Sequence, residues 1–443
     1  MPFSRHLIVG LHRLELPNPM KKTYSLLFCS LFITTLVNAQ PLERLVDEVL
    51  RKNPSLTAAR LKWEALRERP RIVGSLPDPM LTYGYFFDNV ETRVGAQNQK
   101  VGASEKIPFP GKLSLSARKA TQEAIIAAWE YQTLGRELIL RAKTGYYDLY
   151  QIDRAREILD SELSVLGTMA TTSESRYEAG EAQQSDVLKA QLAASGIQKR
   201  LLDLAQQRQV ALAGLNALRD APQNRSVETA PELAIPSLPD RSRAMAIAER
   251  YRQELQQAGV AIERDRTALS LAKMDRLPDF TFGVDYTQVN PNIFQNQPDN
   301  GHDAVMGFVS VNLPIWFGKL NAEEREAAKK LAQSRAMALA VKDTVQADVQ
   351  SAWFRAESLH DQLLLYRQTL LPQAEQSFGA TRAGYESAKT TFIDLLDSER
   401  ALLALRLGEV MTEAELARAM AQLERAIGVN LRNVTKWKGE VSK

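Results

Sequence analysis

The chain has 443 residues, with 56 basic and 53 acidic side chains, four histidines and one cysteine. Its length exceeds one ordinary core and allows two or three domains. So few histidines and cysteines leave a His/Cys metal cluster or a Ser-His-Asp site few places to be.

The first 39 residues read as a leader. Met20-Lys21-Lys22 opens a short basic stretch, and an apolar run from Leu26 to Val37 follows, broken only by Cys29, Ser30, Thr34 and Thr35. Val37-Asn38-Ala39 then forms a small-residue cleavage pattern ahead of Gln40. This order is that of a secretory signal peptide. The apolar run is shorter than the ~20 residues a membrane-spanning helix needs. Residues 1–19 lack the character of a basic n-region, so Met20 is an alternative start to Met1. Phe28 beside Cys29 argues against lipid attachment there, because a small residue is favoured at that place. Removing the leader takes away Arg5, Arg13, Lys21, Lys22 and Glu15, which brings the net charge from +3 to zero. Nucleic-acid binding by bulk charge loses its support. The only cysteine leaves as well, and His302 and His360 are the histidines that stay.

A helix is expected over about Leu42–Arg69. Two alternating strands follow, with Tyr83, Tyr85 and Phe87 in the first and Val101, Ala103 and Ile107 in the second. A very long helix is expected over Lys112–Glu178, rich in strong helix formers. Its 67 residues would extend roughly 100 Å at ~1.5 Å per residue. A return helix follows over about Ser185–Leu218. Pro222, Pro231, Pro236 and Pro239 mark a linker.

Beyond the linker the order repeats. The second half predicts a helix over about Arg243–Lys273, then a strand with Phe280, Phe282, Val284 and Tyr286 on one face. The next strand carries Val305, Gly307, Val309, Val311 and Leu313 on one face. A long helix is expected over Lys319–Glu386, bent or broken locally at Pro372, and a return helix over Phe392–Ile427. Three landmarks recur in order. Leu76-Pro77-Asp78 matches Leu277-Pro278-Asp279, and Ile107-Pro108-Phe109-Pro110-Gly111-Lys112 matches Leu313 to Lys319 with one insertion. Tyr177 and Tyr385 each have an Asp nine residues on, Asp186 and Asp394. The domain reading is therefore a leader (1–39), a first repeat (40–221), a linker (222–240), a second repeat (241–431) and a tail (432–443).

Ten-residue segments with one apolar face suit a membrane barrel, although a soluble antiparallel sheet alternates too. Trp316, Phe317 and Phe109 would suit an interfacial aromatic belt. Glu105 and Lys106 are expected near a strand end or facing inward, because charge facing lipid is costly. No segment after the leader has 18 consecutive apolar residues, so no spanning helix is expected. Two strands per half give four per chain, and the smallest membrane barrels need about eight. Several copies would have to share one barrel, and a trimer supplies twelve strands. The methionines Met80, Met274 and Met306 are dispersed and read as packing.

The duplicated order of helix, strand pair, very long helix and return helix resembles the TolC-like outer-membrane efflux proteins over about Leu42 to Leu431. The proline-glycine-lysine entry to the long helix and the Tyr-to-Asp spacing at its far end share that resemblance. It implies a mostly α fold with short transmembrane β segments. Duplicated long-helix repeats would form a trimeric α-barrel tunnel topped by a 12-stranded β-barrel. It also implies a non-catalytic duct without cofactor or bound metal, sitting in the outer membrane with its helices in the periplasm. Its partners would be two further copies, a periplasmic adaptor, an inner-membrane pump of RND or ABC type, and outer-membrane lipid, with no nucleic acid.

In the resemblance the turns after Glu178 and Glu386 are the periplasmic tip. Tyr385, Asp394 and Asp397 correspond to a channel gate, and the Asp spacing of three puts both carboxylates on one helix face. Threefold repetition would stack rings of like charge, a known cation-selecting device. A Tyr385–Asp394 hydrogen bond across protomers is one expectation. The first repeat keeps Asp186 but has Lys189 at the second place, which implies unequal halves with the second facing the lumen. Gly180, Ala388 and Tyr177 correspond to the adaptor-contact tip. Gly180 equally suits a helix C-cap. The stretch from Leu76 to Lys112 looks similar to members serving heavy-metal cation pumps. Export of other small toxic solutes, or a type I secretion duct for polypeptides, stays open. So do two other classes: a periplasmic coiled-coil scaffold without a barrel, and a hydrolase using Asp394 and Asp397.

Overall fold

The computed structural model describes residues 41–293 and 298–431. The leader with Met20 and Cys29, and the tail 432–443, lie outside them. The element order is α1 (Pro41–Lys52), α2 (Pro54–Gly74), β1 (Met80–Thr92), β2 (Gly95–Ile107), α3 (Lys112–Glu178) and α4 (Gln184–Leu218). The second half gives α5 (Arg241–Tyr251), α6 (Gln253–Met274), β3 (Phe280–Asn290), β4 (Ala304–Val311) and α7 (Phe317–Leu365). A single π turn (Tyr366–Leu370), α8 (Leu371–Glu386) and α9 (Phe392–Ile427) complete it. The long first helix and the second return helix have the bounds the sequence predicts.

One expectation, made for both halves, needs correction. The leading helix of each half is not continuous but breaks at matching places, Asn53 and Arg252. Asn53 takes an extended backbone and its side chain caps α2 by accepting from the Leu56 N–H at 3.1 Å, with Pro54 in the first turn. The same side chain donates to the Leu218 carbonyl at 2.8 Å, so the break holds the end of α4. At the second break Gln253 donates to the Gly428 carbonyl at 3.0 Å and so holds the end of α9. Arg252 is buried there, its guanidinium donating to the Arg425 carbonyl and to Asp348. Duplication has copied a joint, with different side chains doing the same mechanical task.

The second long helix is interrupted just before Pro372. Proline lacks an N–H and its ring crowds the carbonyl four residues earlier. The π turn absorbs that mismatch with one wider turn. It is fastened on both sides: Arg367 donates to Glu409 and to Glu413, each at 2.7 Å, and Tyr150 of α3 donates to Glu413 at 2.8 Å.

The strands form one antiparallel sheet in the order β1-β2-β3-β4. Register places Tyr83, Val101, Tyr286 and Val305 in one cross-strand row. Leu81, Ala103, Val284 and Gly307 form the next. This apolar face is largely exposed in the single chain, with Leu81 at 77%, Tyr83 at 63% and Val305 at 72%. The opposite face carries Lys100, Asp285 and Lys106, with Lys100 paired to Asp285 at 2.6 Å. Lys106 thus points to the polar face and pairs with Asp279 at 3.1 Å. Glu105 instead shares the apolar row of Phe282 and Val309, two residues from the end of β2. It meets the strand-end expectation rather than the inward one.

At the foot of the sheet Lys112, the first residue of α3, donates to Asp279 and to the Leu277 carbonyl, both at 2.8 Å. Asp279 also accepts from the Phe109 N–H at 3.0 Å. Burial alone would raise its carboxyl, but Lys112, Phe109 and Lys106 hold it at about 2. The first repeat's helix is thereby locked to the second repeat's strand.

Asn53→Ala is expected to cost about 1–2 kcal/mol locally, since it removes a cap and an anchor together. Faster amide exchange at Leu56 and Thr57 would report it. Asn53→Asp keeps the cap acceptor and should lose only the protection around Leu218.

Candidate functional site: the helical tip

The far ends of α3 and α8 close with the same turn. Gly180 has φ +76°. Its N–H donates to the Tyr177 carbonyl at 3.0 Å, and the Glu181 N–H donates to Arg176 at 2.7 Å. At the second tip Ala388 has φ +57° and donates to Tyr385 at 3.1 Å, while Lys389 donates to Gly384 at 2.7 Å. Both are Schellman turns with the left-handed residue just past the helix. The glycine-to-alanine difference therefore changes strain, not geometry: a Cβ in the left-handed region costs about 1–2 kcal/mol. A Cβ at Gly180 would meet open space, so this turn presents bare backbone outward. Tyr177 beside it is exposed.

Tyr385 occupies a different environment from its repeat mate Tyr177. It is buried, edge-on to Phe392 at 5.8 Å between ring centroids. Arg176 of α3 lies over its ring at 4.8 Å and donates to its carbonyl at 2.6 Å. The Tyr385 hydroxyl sits 3.5 Å from the Ser173 hydroxyl. The tips of the two repeats are thus tied together by Arg176 and Tyr385. The sequence signal for Arg176 was its position: the repeat places Gly384 there, so a long cation stands where the copy has no side chain.

Asp394 and Asp397 are both exposed on the same side of α9. Asp394 completes a capping box. It accepts from the Thr391 N–H at 3.0 Å and from the Thr391 hydroxyl at 2.7 Å, and its own N–H donates back to that hydroxyl at 3.2 Å. The Thr391 hydrogen bonds hold its carboxyl below the usual range. The sequence signal for Thr391 is a threonine three residues before an acid at a helix start. Asp397 lies 3.7 Å from Arg400 across an exposed pair. Within the chain Asp394 is engaged by Thr391 and Tyr385 by Arg176 and Ser173, so the two are not brought together. In the first repeat Lys189 pairs with Asp186 at 3.4 Å, which cancels charge where the second repeat keeps two carboxylates. Among the described residues no group of three or more His, Cys, Asp or Glu could hold a metal ion.

Comparison with known proteins places this architecture. The model of the family described as outer membrane efflux protein matches residues 45–219 and 246–429. The chain is 24% identical over 430 residues to the outer membrane protein TolC of Vibrio cholerae serotype O1, covering 92% of this chain and 96% of that one. It is 27% identical over 353 residues to the cobalt-zinc-cadmium resistance protein CzcC of Cupriavidus metallidurans, covering 76% and 79%. Among solved structures, the outer membrane protein VceC from Vibrio cholerae superposes with a TM-score of 0.74 at 19% identity, covering 88% of this chain and 96% of that chain.

Ala388→Gly is expected to slow amide exchange at Lys389, corresponding to about 1 kcal/mol of relieved strain, and Gly180→Ala to accelerate it at Glu181 by a similar amount. Equal exchange in all three proteins would show that the turns carry no such strain.

Proposed function

The chain belongs to the outer membrane efflux protein family, and we propose that three copies of it build one export duct in which the second repeat forms the gate. The carrying observation is the four-stranded sheet with one exposed apolar face and a free edge on β1 and on β4. Lipid supplies no partners for free strand edges, so further copies must supply them.

Internal duplication indicates how. Within the chain β2 pairs β3 with Glu105 opposite Phe282 and Ala103 opposite Val284. Carrying that pairing over the repeat landmarks sets β4 against β1 of the partner subunit. Val311 then faces Leu81 of the partner subunit, and Val309 faces Tyr83 of the partner subunit. The apolar faces stay aligned. The same symmetry accounts for an imbalance at the helix entries. Lys112 is 11% exposed and held by Asp279, whereas its repeat mate Lys319 is 72% exposed and pairs with Glu323 at 3.6 Å. Asp78, the mate of Asp279, is exposed too. In the trimer Lys319 takes Asp78 of the partner subunit.

The duct is passive and catalyses nothing itself. Asp394 and Asp397, repeated threefold, form charged rings at the tip, with Tyr385 holding the gate helix to the first repeat. The bare turn at Gly180, with Tyr177 and the matching turn at Ala388, offers the surface for a periplasmic adaptor. An inner-membrane pump of RND or ABC type drives transport. The similarity to a cobalt-zinc-cadmium resistance protein favours small toxic solutes, heavy-metal cations among them, over polypeptides. The repeats 40–221 and 241–431, joined by the linker 222–240, are the units that build the wall.

Two experiments test this reading. Asp78→Cys combined with Lys319→Cys should give disulfide-linked dimers and trimers in the outer membrane, each single variant giving monomers. Monomers from the double variant would sink the pairing. In planar bilayers Asp394→Ala should raise single-channel conductance. Unchanged conductance and export would remove Asp394 from the gate.

A further inference from the structure

Above the gate carboxylates lies a pair of acids that transport through the lumen does not require. Glu162 of α3 and Glu399 of α9 are 5% and 3% exposed. They face each other carboxyl to carboxyl, close enough to hydrogen-bond, and the Oε1 atom of each has no hydrogen-bond partner. Two ionised carboxylates are acceptors only and cannot satisfy one another. One proton between them supplies the missing donor and removes the like-charge repulsion.

Their surroundings hold little compensating charge. Leu159, Leu166, Leu395, Leu396 and Leu403 belong to the apolar cluster that joins α3, α4, α8 and α9 here. Arg200 of α4 and Arg400 of α9 lie near Glu399 and favour its ionisation. Among the described residues, no ion pair within 4.0 Å reaches either carboxylate, and Arg400 pairs with Asp397 instead. The charges of α8 are engaged elsewhere, Glu375 with Arg406 and Arg382 with Glu386. Burial first, then the Glu162 hydrogen bond and its charge, push Glu399 up from 4.5 to about 8. A cavity of about 330 Å³ lined by Gly196, Arg200, Glu399 and Arg400 opens beside it and gives water access to the proton.

We propose that Glu162 and Glu399 share one proton and act as a pH-sensitive latch between the first-repeat helices and α9, releasing the tip when the proton is lost. The latch, though not the shared proton, rests on the duct reading above. With the proton present the seam is closed by an O–H···O bond in an apolar setting. Without it, two buried like charges push α3 and α9 apart within about one and a half turns of Asp394 and Asp397. The sign follows from linkage. A carboxyl raised in the folded protein stabilises fully below its ordinary value, and that contribution is lost as pH rises toward its folded value.

The test uses the full-length trimer. Difference infrared spectra between about pH 6 and 9 should show a protonated-carboxyl band that fades with rising pH and is missing from Glu399→Gln and from Glu162→Gln. Each glutamine keeps the side-chain volume and supplies a permanent donor. In planar bilayers the wild-type conductance should rise several-fold over the same range, while both variants stay low and flat. If one variant fails to assemble, the other decides. No band, or a wild-type rise retained in the variants, overturns the proposal. A trimer that conducts at no pH overturns the duct reading and the latch with it, while the band still decides the shared proton.

Discussion

Backbone groups inside a membrane must find partners within the protein, because hydrocarbon offers none. That constraint organises this chain. Four strands arranged β1-β2-β3-β4 leave two edges, and their exposed apolar rows have no covering layer among the described residues. Beneath the sheet the strands are tied directly to the helices. Lys112 starts α3 by binding Asp279 just ahead of β3, so the first helix of the tunnel and the second pair of strands cannot move independently. No helix among the described residues is long and apolar enough to cross a membrane, and the family places this sheet in the outer membrane.

Duplication gives the chain two copies of each mechanical part, and the proposed gate lies where the copies diverge. Asn53 and Gln253 fasten the ends of α4 and α9 by similar hydrogen bonds, and the Schellman turns at Gly180 and Ala388 share one geometry. At the tips the copies part. Arg176 reaches across to Tyr385, whereas the second repeat has Gly384 in its place. Lys189 neutralises Asp186 in the first repeat, whereas Asp394 and Asp397 stand exposed in the second. Among the described residues a π turn occurs in the second long helix alone, before Pro372, where Arg367 and Glu413 brace it. These departures from symmetry fall on or beside the elements proposed to form the gate.

Much of the fold was legible from residue pattern. Helix-forming composition over 67 residues bounded by Gly111 and Gly180, strand alternation, and three recurring landmarks determined element order, the duplication and the four-strand count. The candidate gate residues were legible only through spacing and resemblance, which placed Asp394 and Asp397 on one face. Tertiary structure decided what those side chains touch. Periodicity did not reveal the breaks at Asn53 and Arg252, because each is fixed by a side chain binding a carbonyl more than 160 residues away. Nor could it reveal that Tyr385 is clasped by Arg176 or that Glu162 meets Glu399. Sequence patterns carry information about neighbours within a few turns. Contacts between α3 and α9 depend on how two repeats pack, and there an acid that looks solvated in the sequence becomes buried and holds its proton more tightly.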